Sequence, residues 1–356
     1  MSRILVAMSG GVDSSVAAWL LQNQGHDCTG ATLHLFHGAY AGAEQESSCC
    51  SRSDVEDARS VAFRMGIPHY VFNFQDVFKQ QVLDRFVSEY ERGATPNPCL
   101  DCNRFVKFDK LLRRAEELGM DGIATGHYAC IEEKNGRYLL KKAKDSTKDQ
   151  SYVLYAMTQK QLAQTWFPLG ELTKAQVRGL AQQQDFINAT KRDSQDICFA
   201  PDGDYAAAIQ RLSGRKYPAG HFVDSEGKIL GTHKGIIHYT IGQRRGLGLS
   251  ASEPQYVLEK RRADNAVVLG GEDSLLCKAF CAVEFNWIMW DAPPNILRAK
   301  ARIRYHHMEQ WATVRVTGAE SVEIEFDEPQ RAVTPGQAVV LYLGDCVLGG
   351  GIIELF

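Results

Sequence analysis

The sequence predicts an α/β protein with two β-rich additions: an N-terminal parallel sheet wrapped by helices over residues 1–212, a small central β-rich domain over 213–275 and a C-terminal β-barrel over 276–356. Strand-like and helix-like stretches alternate from Arg3 onward, the pattern of a parallel sheet with crossover helices. From about Tyr217 the texture changes to short alternating runs broken by Gly and Pro, and Asp291-Ala292-Pro293-Pro294-Asn295 interrupts it once more. At 356 residues the chain exceeds the usual size of one domain, so several cores are expected.

Taken in order, Arg3 to Met8 reads as a strand and Asp13 to Asn23 as a helix whose face carries Val16, Ala17, Leu20 and Leu21. Asp27 to Phe36 (strand), Ser53 to Met65 (helix) and His69 to Phe74 (strand) complete the opening alternation. Gln75 to Glu91, Lys107 to Leu118 and Gly122 to Thr125 continue it, with further helices near Thr158 to Gln164 and Thr173 to Gln184. In the last part, Ala299 to Tyr305, Ala312 to Val316, Ser321 to Phe326, Ala338 to Leu343 and Val347 to Ile353 have the period of barrel strands.

Hydrophobic residues at 44% and charged residues at 23% are those of an ordinary soluble protein, and no apolar run approaches the roughly 18 residues that span a bilayer. The run Ile4 to Met8 is too short for a signal-peptide core, so a cytoplasmic location without a membrane partner is expected. Ten cysteines in a reducing compartment point to chemistry or metal rather than to structural disulfides. A net charge of -3 excludes a global pull toward a polyanion; nucleic acid would be held by local patches such as Arg244-Arg245 and Lys260-Arg261-Arg262.

Ser9-Gly10-Gly11-Val12-Asp13-Ser14-Ser15 follows the first strand and opens the first helix, which makes it a phosphate cradle. Glycines let the backbone approach an anion, N–H groups and the helix dipole favour negative charge, and serine hydroxyls add donors. The spacing fits neither the Gly-Lys-Ser/Thr phosphate loop nor the G-x-G-x-x-G fingerprint. Asp13 can assist through magnesium, which takes few carboxylates together with substrate phosphates. The bland alternative is a tight capped turn. The loop resembles the SGGxDS loop of the ATP pyrophosphatases (PP-loop enzymes), which implies cleavage of ATP to AMP and pyrophosphate.

Thr95-Pro96-Asn97-Pro98-Cys99-Leu100-Asp101-Cys102 is a proline-stiffened loop with C-x-x-C spacing, expected just ahead of a helix that begins near Lys107. A helix N-terminus with Arg104 and Lys107 nearby would favour the thiolate of Cys102. Cys198 follows in the polar segment Asp193-Ser194-Gln195-Asp196-Ile197. Three readings stand. Cys28, Cys130, Cys277, Cys281 and Cys346 fit buried small hydrophobes. Cys99 and Cys102 fit half of a zinc or iron–sulfur site completed by Cys198 or by Cys49-Cys50. Cys102 and Cys198 fit thiol exchange, provided the fold brings the sulfurs together.

The segments SGGVDSS, TPNPCLDCNRFVKF, ATGHY, KDQSYVLY, DSQDICF, HYTIGQRRGLGL and TPGQAVVLYLGDCVLGGGII together resemble the tRNA-specific 2-thiouridylases, in that family's order and over nearly the whole chain. The resemblance implies ATP-dependent replacement of the C2 oxygen of the wobble uridine by sulfur. It implies ATP binding by Ala7, Met8, Ser9, Gly10, Gly11, Val12, Asp13, Ser14, Leu33 and Gly126. It implies Cys102 as nucleophile and Cys198 as persulfide carrier, the two able to close a disulfide, and tRNA contacts from Asn97, Lys148, Asp149, Gln150, Arg304 and Tyr305. ATP with Mg, a tRNA substrate, a persulfide-carrying donor protein and a monomeric enzyme go with it. Two positions depart from the pattern: Cys99 stands where many members have Asp, and Leu33 where some have Met.

Other residues carry weaker signals. His127 either touches ATP or caps its turn; Gly242 to Gly248 is a phosphate-backbone grip or an exposed charged turn. Arg304-Tyr305-His306-His307, read as strand, can turn at most half of its side chains to one partner. Without the resemblance, Lys148 to Ser151 reads as a solvated loop. Two rival functions remain at this stage: an amide-forming ligase sharing the ATP loop, and an RNA-binding protein with a cysteine-ligated metal or iron–sulfur cluster.

Overall fold

The computed structural model describes residues 1–35, 52–193, 197–200, 202–250 and 252–354. The chain divides into two compact units, one of Met1–Val82, Cys99–Gly203 and Gly344–Val347, the other of Leu83–Pro98, Asp204–Leu343 and Leu348–Phe356.

The first unit contains β1 (Arg3–Ala7), β2 (Asp27–His34), β3 (His69–Asn73), β4 (Gly122–Ala124), the hairpin β5 (Ala129–Lys134) and β6 (Arg137–Lys142), and β7 (Thr165–Trp166). Strands lie in the order β3-β2-β1-β4-β7, all parallel. Ile4, Leu5 and Val6 of central β1 have no exposed surface, as a strand covered on both faces requires. Helices α1 (Val12–Asn23) and α2 (Arg52–Met65) supply the cover, with Val16, Ala17 and Leu21 of one and Ala58, Val61 and Ala62 of the other in the same core as Ile4, Val6 and Met8. The chain leaves β2 and β3 on one side of β1 and β4 on the other. Ligands in such sheets bind at this reversal, beyond the carboxyl ends of the strands.

Two features differ from expectation. The β5–β6 hairpin is turned by Asn135 and Gly136 at φ of 54° and 76°, the left-handed pair that two-residue hairpin turns need. The cysteine segment is helical from Pro98, not from Lys107: Pro98–Asp101, Cys102–Lys110 and Leu111–Glu117 follow without a break, with wider i→i+5 turns in the middle stretch. Proline suits a first helical position, where its missing N–H would have no partner anyway.

In the second unit, β8 (Gly220–Val223), β9 (Ile229–His233), β10 (Tyr256–Arg261) and β11 (Ala266–Gly270) form a sheet in the order β10-β11-β8-β9. Then β12 (Leu276–Trp287), β13 (Ile296–Arg302), β14 (Gln310–Gly318), β15 (Ser321–Arg331), β16 (Ala338–Leu343) and β17 (Cys346–Glu354) run β12-β15-β14-β13-β16-β17, and β17 returns to β12 to close a barrel. Inward residues alternate along β13 and β14 as Ala299, Ala301, Ala312 and Val314, and Phe280 meets Phe326 with ring centroids 5.8 Å apart. The expected strand Ala299 to Tyr305 ends at Arg302, and Arg304 to His306 is a bend and turn, so the one-face limit on Arg304 and Tyr305 does not apply. Among the described residues no helix is long and apolar enough to cross a membrane.

Phe326 is 1% exposed at the centre of the barrel. Phe326→Ala should therefore cost about 3–5 kcal/mol, read as a shift of the urea midpoint of barrel unfolding.

Candidate nucleotide and thiol site

The loop between β1 and α1 is held against backbone on two sides. Gly10 has φ +74°, and a Cβ there would lie 2.3 Å from the Asp54 carbonyl oxygen of α2. A Cβ on Gly126, beyond β4, would lie 2.7 Å from the Ser14 nitrogen. Only glycine allows both approaches. Ser14 and Ser15 hydroxyls donate to the Gly11 carbonyl at 3.0 and 3.1 Å, and the Ser9 N–H donates to Ser14 Oγ at 3.1 Å. These hydroxyls brace the loop, so anion binding falls to the backbone amides at the start of α1. Thr32 of β2 donates to the Met8 carbonyl at 2.7 Å, beside the buried Leu33.

Two residues absent from the sequence reading support the loop further. Asn188 Nδ2 donates to the Gly10 carbonyl (3.0 Å) and to Ser15 Oγ (2.9 Å). Lys191 bridges Asp54 and Asp57 of α2 at 2.6 and 2.5 Å.

Asp13 is the entry to a charge cluster. Lys174 Nζ donates to both Asp13 oxygens at 2.7 Å and to Asp193 at 2.8 Å, while the Tyr128 hydroxyl donates to Asp13 at 2.8 Å. Lys148 and Arg178 also pair with Asp193, at 2.8 and 2.9 Å. Three cations thus serve two carboxylates, a positive surplus that suits phosphate. Burial alone would raise the Asp193 pKa, but hydrogen bonds and charge from Lys148 and Lys174 hold it at about 2. Burial, then the Asp13 carboxylate, pushes the Tyr128 phenol up, so it stays a donor. Asp13 and Asp193 are the two carboxylates here that could hold a magnesium ion, an oxygen donor set that suits it.

Lys174 begins the helix Lys174–Gln183, where Thr173 and Gln176 form a reciprocal capping box. That Thr-x-x-Gln signal marks the helix start in the sequence, but nothing local marks its partner 161 residues away. His127 takes the capping role: Nδ1 lies 2.7 Å from Thr125 Oγ1, the ring packs on Phe108 and Phe167, and burial, with Lys107, pulls its pKa well down.

Cys99 falls in the first turn of its helix and Cys102 in the second, because the helix begins at Pro98. The favourable field of the helix start therefore acts more on Cys99 than on Cys102. Cys102 and Cys198 are both half-buried and Cys99 is exposed. Phe199 anchors the next position by an edge-on contact with Phe78, centroids 6.4 Å apart. On the other side, Cys198 follows Asp193 by five residues, which bounds their Cα separation at about 18 Å. By contrast, burial raises Cys28 to about 11 and, with Glu171, Cys130 to about 12, and raises Cys277 and Cys281 as well. In those four the thiol form is favoured over the thiolate.

Of the residues expected to contact tRNA, Lys148 is the partner of Asp193. The buried Asp149 carboxylate accepts from the Ala143 and Ser151 amides, and Gln150 Oε1 accepts from the Tyr128 N–H at 2.9 Å. Asp149 and Gln150 thus brace the strand end that carries Tyr128. In the second unit, Arg302 stacks on Tyr305 at 5.5 Å, and Tyr305 meets His306 edge-on at 4.9 Å. Gly242, Gly246 and Gly248 take φ of 84°, 77° and 68° around exposed Arg244 and Arg245, an exposed charged turn. Among the described residues no three His, Cys, Asp or Glu side chains converge as metal ligands. Cys49 and Cys50 lie outside the described residues.

Residues 2–202 match the family model described as a tRNA methyl transferase HUP domain, 208–271 the tRNA methyl transferase PRC-barrel domain, and 277–353 the aminomethyltransferase beta-barrel domain. Curated relatives named tRNA-specific 2-thiouridylase MnmA match end to end. That of Clostridium acetobutylicum is 47% identical over 352 residues, covering 99% of both chains. That of Clostridioides difficile is 48% identical over 354 residues, covering 99% of this chain and 98% of the relative, and that of Acetivibrio thermocellus 48% over 355 residues with 99% of both covered.

Two outcomes follow from the geometry. Gly10→Ala must displace the Asp54 backbone, and pyrophosphate release from ATP should fall about 100-fold, as a 1 Å misplacement can cause. Lys174→Met should raise the Asp193 pKa from about 2 toward the ordinary carboxylate value, read by carboxyl NMR titration. In the wild type, stability drawn from ionised Asp193 is complete above the unfolded pKa of about 3.9 and is lost as pH falls toward 2; the variant should lose less over that window.

Proposed function

The chain belongs to the tRNA-specific 2-thiouridylases, and on that premise we infer that it replaces the C2 oxygen of the wobble uridine in tRNA by sulfur, using ATP. The observation that carries the reading is the β1–α1 loop with its Asp13–Lys174–Asp193 cluster, to which Lys148 and Arg178 add positive charge, Asp193 standing five residues upstream of Cys198.

Backbone amides from Gly10 to Ser14 cradle the phosphates, with Ala7, Met8, Ser9, Leu33 and Gly126 lining the nucleotide site. Magnesium, held by Asp13 and Asp193, would supply countercharge to the phosphates. The wobble uridine is turned out of the anticodon stack, because its C2 oxygen is otherwise inaccessible. That oxygen attacks the α-phosphorus, the bond to the β-phosphate oxygen breaks, and pyrophosphate leaves. The base is then an adenylate whose leaving group is AMP. Lys174 is placed to take up charge developing on the phosphates.

Cys198 carries a second sulfur delivered by a donor protein. In one order its terminal sulfur attacks C2, AMP departs with the original oxygen, and the Cys102 thiolate then attacks Cys198 Sγ, releasing the thiocarbonyl and leaving a Cys102–Cys198 disulfide for a dithiol to reduce. In the other, Cys102 attacks the persulfide first and releases hydrosulfide, which attacks C2. Both balance, and both need the reduced thiols of a cytoplasm. Asn97, Lys148, Arg304 and Tyr305 hold the RNA, Asp149 and Gln150 act through the strand they brace, and the enzyme acts as a monomer. Cys99 takes no step, and no step passes through an iron–sulfur cluster.

In an assay with unmodified tRNA, ATP and a persulfide-loaded donor protein, Cys102→Ser and Cys198→Ser should lose thiolation while tRNA-dependent pyrophosphate release persists. Full thiolation by both variants would remove the cysteines from the mechanism.

A further inference from the structure

In the second unit the chain running toward Asn97 is gripped by its backbone at consecutive residues. Lys260 of β10 donates from Nζ to the Ala94 carbonyl at 2.9 Å. The Thr95 N–H donates to the Pro335 carbonyl at 2.9 Å, and Gln337 Nε2 donates to the Thr95 carbonyl at 2.6 Å. The fit is close: a Cβ on Gly93 would lie 2.6 Å from the Lys260 carbonyl oxygen, and one on Gly336 2.9 Å from Ala94 Cβ.

Lys260 is an unusual residue to find there. It is 5% exposed, its ammonium lies 4.9 Å from the centroid of the Tyr90 ring, and among the described residues no carboxylate pairs with it. Burial alone pulls its pKa down to about 7. A lysine buried without a counter-ion costs stability that an apolar chain of similar length would not. Its contribution is the hold on Ala94.

We propose that Lys260 is a positioning residue for tRNA binding, fixing the Thr95-Pro96-Asn97-Pro98 loop in the shape that presents Asn97 to the RNA. The proposal rests on the thiouridylase reading. Proline fixes φ at two of these four positions, so an orientation set at Ala94 and Thr95 is carried to Asn97 with little slack. Lys260 itself touches neither ATP nor the reacting base in this scheme.

The test uses the full chain as wild type and Lys260→Met, with hydrogen exchange followed across residues 93–97 and pyrophosphate release measured against tRNA at saturating ATP. Lys260→Met should speed exchange at Thr95 and Asn97 and raise the KM for tRNA about tenfold, with kcat and the KM for ATP within about twofold of wild type. It should melt no lower than wild type, since a desolvated charge is removed. Should that variant not fold, Tyr90→Leu, which removes the ring beneath the ammonium, is read in the same way. Unchanged exchange in the loop would overturn the proposal, whether or not the KM moved, because the effect must pass through the loop. Wild-type protein without tRNA-dependent pyrophosphate release would instead sink the thiouridylase reading, leaving the exchange comparison to judge the clamp.

Discussion

The Lys174 ammonium, shared between the carboxylates of Asp13 and Asp193, is the interaction on which the nucleotide end of the sheet depends. An ammonium has three protons, and the three nearest acceptors are the two Asp13 oxygens and one oxygen of Asp193. Its side chain is 12% exposed, so little water competes for those protons. Without the lysine, two carboxylates would face each other with only Lys148, Arg178 and the Tyr128 hydroxyl to compensate. Breaking such a half-buried set leaves an uncompensated charge, which costs more than the intact set contributes.

That shared contact also ties together segments distant in the chain. Asp13 opens α1, Tyr128 follows β4, Lys174 starts a later helix and Asp193 leads to Cys198. Glycine completes the assembly where side chains would prevent it, Gly10 on the α2 backbone and Gly126 on the Ser14 amide. The β1–α1 loop, proposed as the phosphate cradle, is therefore braced on several sides, the preorganisation that electrostatic catalysis requires. Asp193, held down near pKa 2, remains charged through the physiological range and stays tied to Asp13 through Lys174.

Much of this was legible in the sequence, for reasons of periodicity and local turn chemistry. The parallel alternation, the glycine loop and the barrel strand Ala338–Leu343 are local patterns, and they stand in the structure within a residue or two. The first barrel strand, β12, was not legible because its burial alternates around a register shift between Cys277 and Ala279, which blurs the period of two. The helix start at Pro98 is hidden by Asn97-Pro98, which reads as a turn although proline is equally at home at a first helical position. Lys174, Asn188 and Lys191 were beyond sequence reasoning because each bonds to residues more than a hundred positions away. Of the five cysteines expected to be buried small hydrophobes, Cys28 is buried as its apolar strand requires, while Cys130, Cys277, Cys281 and Cys346 are only half-buried; the bracing roles of Asp149 and Gln150 depend on partners that no local pattern marks.

The central claim is that the base oxygen is activated by ATP before sulfur arrives. A tRNA carrying oxygen-18 at C2 of the wobble uridine tests it most directly, with the enzyme, ATP and a persulfide-loaded donor protein, and mass analysis of the nucleotide products. The account predicts that the label leaves in AMP, one atom for each thiouridine formed, and that pyrophosphate carries none. Label in pyrophosphate, in inorganic phosphate or in released water, with unlabelled AMP, would contradict adenylation of the C2 oxygen and with it the role assigned to the β1–α1 loop.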